Sequence, residues 1–325
     1  MTMKGLYVGI DLGGTKIAGA LVDRDGSILR RIRLETRVEQ GPQAVIDRLV
    51  ESIDQLMDGV RSTVKGVGVA SPGPLDSRSG VVFSPPNLPG WVNVPLRQAL
   101  EDRLGIPVKL ENDANAAAWG EYRFGAGQRK GTMIYLTVST GVGSGLVLDG
   151  RLFRGENTFA GEIGHTIVDP EGPPCGCGRQ GCLEALASGT AIAKLGQTAD
   201  PSSSIHSLAA EDGGVVRAEH VFQAYRMGDA HAENIIRQTV RYLAIGLSNL
   251  IHIFNPGKIV VGGGVSRAGD VLFPLLQEQL DRYLMAPFRE TCEVVPAALG
   301  EDAGVLGAAA LWTDCGQQVV AGEPA

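Results

Sequence analysis

One short segment combines the residue types that bind a structural metal ion. His165 precedes three clustered cysteines, Cys175, Cys177 and Cys182. Together they can supply a closed tetrahedral Cys₃His site, in which no position is left open for catalysis. The C-x-C-x₄-C spacing, with glycines between the thiols, lets all three turn toward one ion. We predict structural Zn²⁺ here, in preference to unligated cysteines or disulfides.

Two carboxylates flank these ligands. Glu162 lies just before His165, and Glu184 follows Cys182. A bound metal would hold both carboxylates in place, and carboxylates accept hydrogen bonds from paired hydroxyls. A His165 ring that binds zinc through one nitrogen keeps the other free for a hydroxyl. The segment therefore predicts a rigid site for a polyol.

A second candidate segment, Glu111–Asn115, lies where a strand gives way to a helix. Asp113 falls at or near the helix N-cap, and Asn112 beside it could donate to a substrate hydroxyl. An acid at this place can cap the helix, or it can act as a general base for an attacking hydroxyl. The spacing alone leaves both roles open.

Three glycine turns follow strands and are candidates for nucleotide binding. Glycines leave backbone N–H groups open to phosphate oxygens, and an acid at a strand end can hold Mg²⁺ through water. A lone turn of this kind is more often a plain hairpin, but two of them could grip the β- and γ-phosphates from both sides. No Walker-type G-x-x-x-x-G-K-[ST] loop and no G-x-G-x-x-G fingerprint occurs. The first turn has Asp11, Gly13, Gly14, Thr15 and Lys16; the second, within 139–145, has Thr140, Gly141 and Gly143; the third, suited to adenine or ribose, has Gly262, Gly263 and Gly264.

Strand and helix patterns alternate along the chain, which predicts a mixed α/β architecture. The strand–glycine turn–strand unit of the first hairpin recurs about 130 residues later. The recurrence suggests two lobes built on one plan, although such units are common. The predicted strands are 6–10, 17–23, 28–34, 64–70, 107–110, 133–138, 145–149 and 258–264; the helices are 42–58, 96–103, 114–122, 233–254 and 303–312; and 197–218 is predicted to be a loop or insertion.

The composition is that of a globular protein, with 44% hydrophobic and 20% charged residues. A formal net charge of −7 argues against general affinity for nucleic acid or anionic membranes. No apolar run is long enough to span a bilayer, and the N-terminal apolar run contains Asp11, unlike a signal peptide. We therefore expect a cytoplasmic protein.

Taken together and in this order, the motifs resemble those of the ROK family (repressors, open reading frames and sugar kinases). The similarity covers D-x-G-G-T-K, E-N-D-A-N, the run from Val138 to Leu146, G-E-I-G-H and the C-x-C-G-x-x-G-C-x-E knuckle of its bacterial glucokinases. The resemblance implies a two-lobed actin-like ATPase fold of the hexokinase type, with ATP, Mg²⁺ and a hexose in the interlobe cleft. It implies lobes at 1–118 and 119–302, with the C-terminal helix, 303–325, completing the first.

The resemblance also implies a role for each candidate residue. Asp113 would be the base for the hexose 6-hydroxyl, and the first two glycine turns would bind phosphates. The third turn, Gly262–Gly264, would bind the adenosine. The other sugar hydroxyls would be held by Asn87, Asn112, Glu162, His165 and Glu184.

The leading expectation is an ATP-dependent glucokinase, with mannose as a further substrate. Alternatives with the same mechanism are kinases of fructose, N-acetylglucosamine or N-acetylmannosamine, or use of a polyphosphate donor. Alternatives of another class are a non-catalytic sugar sensor and an actin-type ATPase with a protein partner. Relatives form dimers or tetramers, so we expect a homodimer or homotetramer. Repressors of the family carry a helix-turn-helix segment ahead of the first strand, which begins at Leu6 here, so we expect no DNA binding.

Overall fold

The computed structural model describes residues 5–129 and 131–313. The chain forms two compact units, each containing a five-stranded sheet. The first unit holds the residues up to Gly125, Arg154–Phe159 and the described residues from Glu301 onward. The second holds Ala126–Phe153 and Ala160–Gly300. The lobe limits inferred above, 1–118 and 119–302, stay a prediction.

The strands and helices follow in chain order. The strands are β1 (Leu6–Leu12), β2 (Lys16–Val22), β3 (Ile28–Glu35), β4 (Val64–Ser71), β5 (Leu75–Asp76), β6 (Val81–Val82), β7 (Val108–Asn112), β8 (Met133–Val138), β9 (Val142–Leu148), β10 (Arg151–Phe153), β11 (Lys258–Gly262) and β12 (Glu293–Pro296). The helices are α1 (Gly41–Met57), α2 (Leu96–Leu104), α3 (Asp113–Phe124), α4 (Leu183–Ala187), α5 (Gly189–Gln197), α6 (Ser204–Glu211), α7 (Ala218–Arg226), α8 (Ala230–Phe254), α9 (Gly269–Tyr283) and α10 (Ala303–Ala310).

The two sheets share one topology. In the first unit the strand order is β3-β2-β1-β4-β7, and in the second it is β10-β9-β8-β11-β12. Each begins with an antiparallel meander of three strands, and its first strand, β1 or β8, pairs in parallel with β4 or β11. That strand in turn pairs in parallel with β7 or β12. The common plan inferred from the recurring hairpin is therefore confirmed.

Parallel pairing fixes where the candidate residues of the first unit lie. Asp11 on β1 pairs with Ala70 on β4, which in turn pairs with Glu111 on β7. The carboxyl ends of these strands thus share one edge, where ligands bind in open α/β sheets. The topology brings the first glycine turn and the start of α3 to this edge.

Close packing of α10 completes the first unit. This helix is rich in small residues, and it contacts β1, β4 and α3. Side chains at Gly9 or Gly68 would overlap its backbone at Val305 or Ala308, so only glycine permits the approach. The predicted helix 303–312 ends earlier, at Ala310, and the prediction for 314–325 lies outside the described residues.

Residues 197–218 were predicted to be a loop or an insertion, and the loop alternative was wrong, because α6 lies inside this segment. The Ser203 hydroxyl caps the helix by accepting the Ile205 N–H at 3.3 Å. Ile205 and Ala209 bury the inner face. The polar, small-residue composition concealed a short helix with a narrow apolar face. Within the described residues, no helix is both long and apolar enough to cross a membrane.

Candidate active site

The turn that carries Asp113 is capped by its neighbour. Asn112 is the N-cap of α3, and its Oδ1 accepts the N–H groups of Ala114 at 3.0 Å and Asn115 at 3.2 Å. This leaves the Asn112 Nδ2 group as a donor. Asp113, the first residue of the helix, is partly buried, and its Oδ1 accepts the Ala114 N–H at 2.8 Å. Because Asn112 already provides the N-cap, capping alone does not explain why an acidic residue occupies position 113.

An ion pair between a buried carboxylate and a partly exposed arginine, which the sequence analysis missed, supports this turn. Glu111 is 2% exposed, and its Oε2 accepts from Arg154 Nε at 2.6 Å. Its Oε1 accepts from Asn115 Nδ2 and from the Asn112 N–H, each at 3.1 Å. Glu111 belongs to a motif already singled out, whereas Arg154 comes from a distant segment and has no sequence signal. The pair fixes the backbone on both sides of Asp113.

The first glycine turn is held by neutral groups. Gly13 donates its N–H to the Lys16 carbonyl at 2.9 Å, and the buried Thr36 hydroxyl donates to the Gly13 carbonyl at 2.6 Å. A Cβ at Gly14 would lie 2.5 Å from the Asn87 carbonyl oxygen. The structure therefore places the exposed Asn87 against this turn, although the two are far apart in sequence. Thr15 is exposed at the tip.

Asp11 is the second-last residue of β1 and lines an open pocket. Burial raises the pKa of its carboxyl group, and the charge of Lys16 offsets part of that rise. Helix α10 begins next to it, because a Cβ at Gly304 would lie 2.8 Å from Asp11 Oδ2. Lys16 Nζ lies 3.7 Å from Glu301 Oε2. A carboxylate in such a setting can hold a hydrated cation, which would keep it ionised.

The second glycine turn differs from the prediction in one respect. Strand β9 begins at Val142, so Gly143 lies in the strand instead of the turn. The Thr140 carbonyl accepts from Thr190 Oγ1 at 2.8 Å. The Val142 N–H donates to Glu184 Oε2 at 3.0 Å and is therefore occupied. Fewer backbone donors are available to phosphate here than the sequence suggested.

The third glycine turn lies next to the second. Gly262 ends β11 and pairs with Thr137 on β8. The backbone of Gly263 lies against Val138, and a Cβ at Gly264 would lie 3.6 Å from Ser139 Oγ. Parallel pairing of β8 and β11 thus brings these two turns to one sheet edge.

The four predicted metal ligands come together. The ligand atoms of His165, Cys175, Cys177 and Cys182 all lie within 4.8 Å of one another. Cys175 Sγ is 3.6 Å from His165 Nδ1, and Cys177 Sγ is 3.6 Å from Cys182 Sγ. Tetrahedral zinc with Zn–S bonds of about 2.3 Å places its ligand atoms roughly 3.7 Å apart. The donor set and its spacing fit Zn²⁺, bound through Nδ1.

The carboxylates beside this group differ in their surroundings. Glu162 is exposed and immediately precedes the short 3₁₀ turn Ile163–His165. Glu184 is partly buried in α4 and contacts both the second glycine turn and Cys175. Arg179, through its backbone N–H and its guanidinium, lowers the pKa of the exposed Cys177 thiol to about 6. An accessible thiolate is the form that binds metal.

Comparison with known proteins identifies the family to which the chain is similar. The ROK family profile matches residues 7–315. A glucokinase from Thermotoga maritima is 44% identical over 307 residues, which are 94% of this chain and 96% of that protein. An N-acetylmannosamine kinase from Escherichia fergusonii is 38% identical over 303 residues, 93% of this chain and 96% of that protein.

A solved structure agrees with this assignment. A ROK family glucokinase from Streptomyces griseus in complex with glucose and AMPPNP is similar with a TM-score of 0.81 and 38% identity, covering 94% of this chain and 99% of that chain. The fold is the actin-like ATPase fold of the hexokinase type, as predicted. This chain belongs to the ROK family.

Proposed function

We propose that this protein is an ATP-dependent glucokinase, which transfers the γ-phosphate of ATP to the 6-hydroxyl of glucose. The observation that carries the proposal is the Asp113 carboxylate at the start of α3. Asn112 is the residue that caps this helix, so capping does not require the Asp113 carboxylate. Such a carboxylate can serve as a general base. The glucokinases similar over nearly the whole chain support the choice of substrate.

In the first unit, Asp113 accepts the proton of the 6-hydroxyl as its oxygen attacks the γ-phosphorus. The bond between that phosphorus and the β-bridging oxygen breaks, and ADP leaves. Asn112 Nδ2 and Asn87 donate to neighbouring sugar hydroxyls. Asp11 and the turn Gly13–Lys16 position the phosphates. When bound through Asp11, Mg²⁺ supplies charge neutralisation of the phosphate oxygens.

In the second unit, Glu162, Glu184 and His165 Nε2 bind the remaining sugar hydroxyls. The turn at Thr140–Gly141 binds phosphate, and Gly262–Gly264 accommodate the adenosine. His165 and the three cysteines would hold Zn²⁺, which would fix the orientation of the imidazole ring. A closed Cys₃His ligand set offers no position to substrate, so the role of the ion would be structural.

The test is a coupled assay of ADP release with Mg²⁺·ATP. Glucose, mannose, fructose, N-acetylglucosamine and N-acetylmannosamine are compared by kcat/KM. We expect the highest value for glucose. Turnover of none of them, combined with calorimetric binding of glucose, would instead indicate a sensor or another phosphoryl donor, and polyphosphate would then be assayed.

N-Acetylmannosamine is the second candidate substrate, because a kinase of that sugar is 38% identical to this chain. A kcat/KM for N-acetylmannosamine above that for glucose would select it. A cytoplasmic location, assembly as a homodimer or homotetramer, and the absence of a nucleic-acid partner stay predictions. Gel filtration with light scattering tests the assembly.

A further inference from the structure

The second glycine turn packs against the segments that carry the four predicted metal ligands. These ligands, His165, Cys175, Cys177 and Cys182, are called the metal group below. Ser144 Oγ, on β9, donates to the Gly161 carbonyl, directly before Glu162. The backbone of Gly164 lies so close to Val142 that any side chain at position 164 would overlap the Val142 carbonyl. The turn that carries His165 therefore packs directly on the hairpin strand.

Glu184 makes a second connection through its carboxylate. Oε2 accepts the Val142 N–H at 3.0 Å, and any side chain at Gly141 would overlap the same oxygen. Oε1 lies 3.9 Å from Cys175 Sγ. One carboxylate thus touches the glycine turn with one oxygen and the metal group with the other.

The position of Glu184 is set by the core. Leu183, its neighbour in α4, is fully buried. A Cβ at Gly246 of α8 would lie 2.8 Å from Leu183 Cδ2, so α4 packs tightly on that helix. The Glu184 carbonyl accepts the Ser188 N–H at 3.1 Å. The backbone that carries the Glu184 carboxylate is therefore held rigidly.

We propose that Glu184 is a positioning residue for the nucleotide, and that through it zinc occupancy controls nucleotide affinity. By fixing the Val142 amide, Glu184 holds the turn Ser139–Gly141 in the shape that binds phosphate. Loss of the metal loosens the Cys175 side of the carboxylate and therefore the turn. The role is additional to hydroxyl binding, and it rests on the proposed function insofar as this turn binds phosphate.

The test compares two carboxylates that share the proposed sugar role. Calorimetry measures the dissociation constant of Mg²⁺·ADP, without sugar, for the wild type, Glu184→Ala, Glu184→Gln and Glu162→Ala. Glu162 is exposed, and the contacts at Gly141 and Val142 are made by Glu184 instead. We expect about tenfold weaker ADP binding for Glu184→Ala, the loss of one charge-assisted hydrogen bond. Glu184→Gln retains an acceptor oxygen and should stay within about threefold of wild type, and Glu162→Ala should be unchanged.

Zinc removal provides the second arm. Chelation should weaken ADP binding by the wild type but have little further effect on Glu184→Ala. That variant already lacks the carboxylate that connects the metal group to the turn. Circular dichroism confirms that each protein is folded. Wild-type ADP affinity in Glu184→Ala, or equal weakening in Glu162→Ala, would overturn the inference. A wild type that binds glucose but no ADP would overturn the phosphate role of the turn, and this inference with it.

Discussion

The two glycine hairpins occupy equivalent places in sheets of one topology, yet they are held differently. The first carries its own acid, Asp11, and is held by neutral hydrogen bonds from Thr36. The second contains no acid in its turn, and a carboxylate from the metal-bearing segment, Glu184, binds its backbone. A shared strand plan fixes where a hairpin lies, but the side chains packed on it decide its chemistry.

The difference assigns separate tasks to the two units. Under the proposed function, the first unit would provide the acid that holds a cation and the base that accepts the hydroxyl proton. The second unit would provide the predicted zinc ligands and the hydroxyl-binding side chains, and its hairpin contacts Glu184 among them. Substitutions at Asp113 and its supporting residues in the first unit should therefore affect mainly kcat, and those in the metal group of the second unit mainly binding.

Replacement of Asp113 by Asn should have the largest effect. An amide cannot accept the hydroxyl proton, so kcat should fall by a factor of about 10²–10⁴ while the fold is retained. Steady-state kinetics with glucose and ATP, with a thermal melt as control, measure this. Near-normal turnover would remove Asp113 as the base and with it the assignment of the chemistry to the first unit.

Substitution of Cys177 by Ser should release zinc and affect the second unit. Loss of one ligand frees His165, and the KM for glucose should rise by roughly tenfold or more. Zinc content by atomic absorption and KM are measured together. Unchanged zinc and KM would contradict the structural-zinc account. Cys292→Ser is the control, since Cys292 lies outside the metal group.

The Arg154–Glu111 pair tests the support of Asp113 in the first unit. Arg154→Gln leaves a buried carboxylate without its cation, which should cost about 2 kcal/mol of stability and lower kcat roughly tenfold. Arg154→Lys should restore part of kcat, because it returns the charge without the guanidinium geometry. In Arg154→Gln/Glu111→Gln, stability should recover. If kcat per folded enzyme stays normal in all of them, the pair is only structural.

Two threonines offer a matched comparison of the hairpins themselves. Thr36→Val removes a buried hydroxyl from the Gly13 carbonyl, at a cost of about 1 kcal/mol and with a several-fold rise in the KM for ATP. Thr190→Val removes an exposed hydroxyl from the Thr140 carbonyl, where water can replace it. Its effect should be much smaller. Equal effects would mean that hydroxyl contacts support both hairpins alike.

Loss of stability in mild acid should come mainly from the second unit, which contains every histidine of the chain. His220 is buried, its Nδ1 accepts the Arg217 N–H at 3.1 Å, and burial lowers its pKa. The unfolded chain then binds more protons, so stability should fall as the pH drops below about 6.5. Urea unfolding at pH 7.5 and 5.5 measures this, and His220→Gln should reduce the difference. If the difference in stability between the two pH values is the same in His220→Gln, other groups cause the loss of stability.

Local patterns predicted much of this molecule. The glycine turns after apolar strands, the apolar stripe of α1 and the close Cys–His spacing each lie within one segment, so a short window of sequence reveals them. Helix α6 was missed, because a serine cap and only two buried positions, Ile205 and Ala209, give a weak signal. Arg154 and the bond from Val142 to Glu184 could not be found, since each joins residues more than 40 positions apart.

The return of the chain to the first unit has a consequence for biosynthesis. The faces of β1 and β4 that carry Gly9 and Gly68 stay uncovered until α10 packs on them. Residues 160–300 of the second unit leave the ribosome before that helix is made, so we expect the second unit to fold first. During translation the first unit would expose an unfinished apolar surface, the natural target of a chaperone.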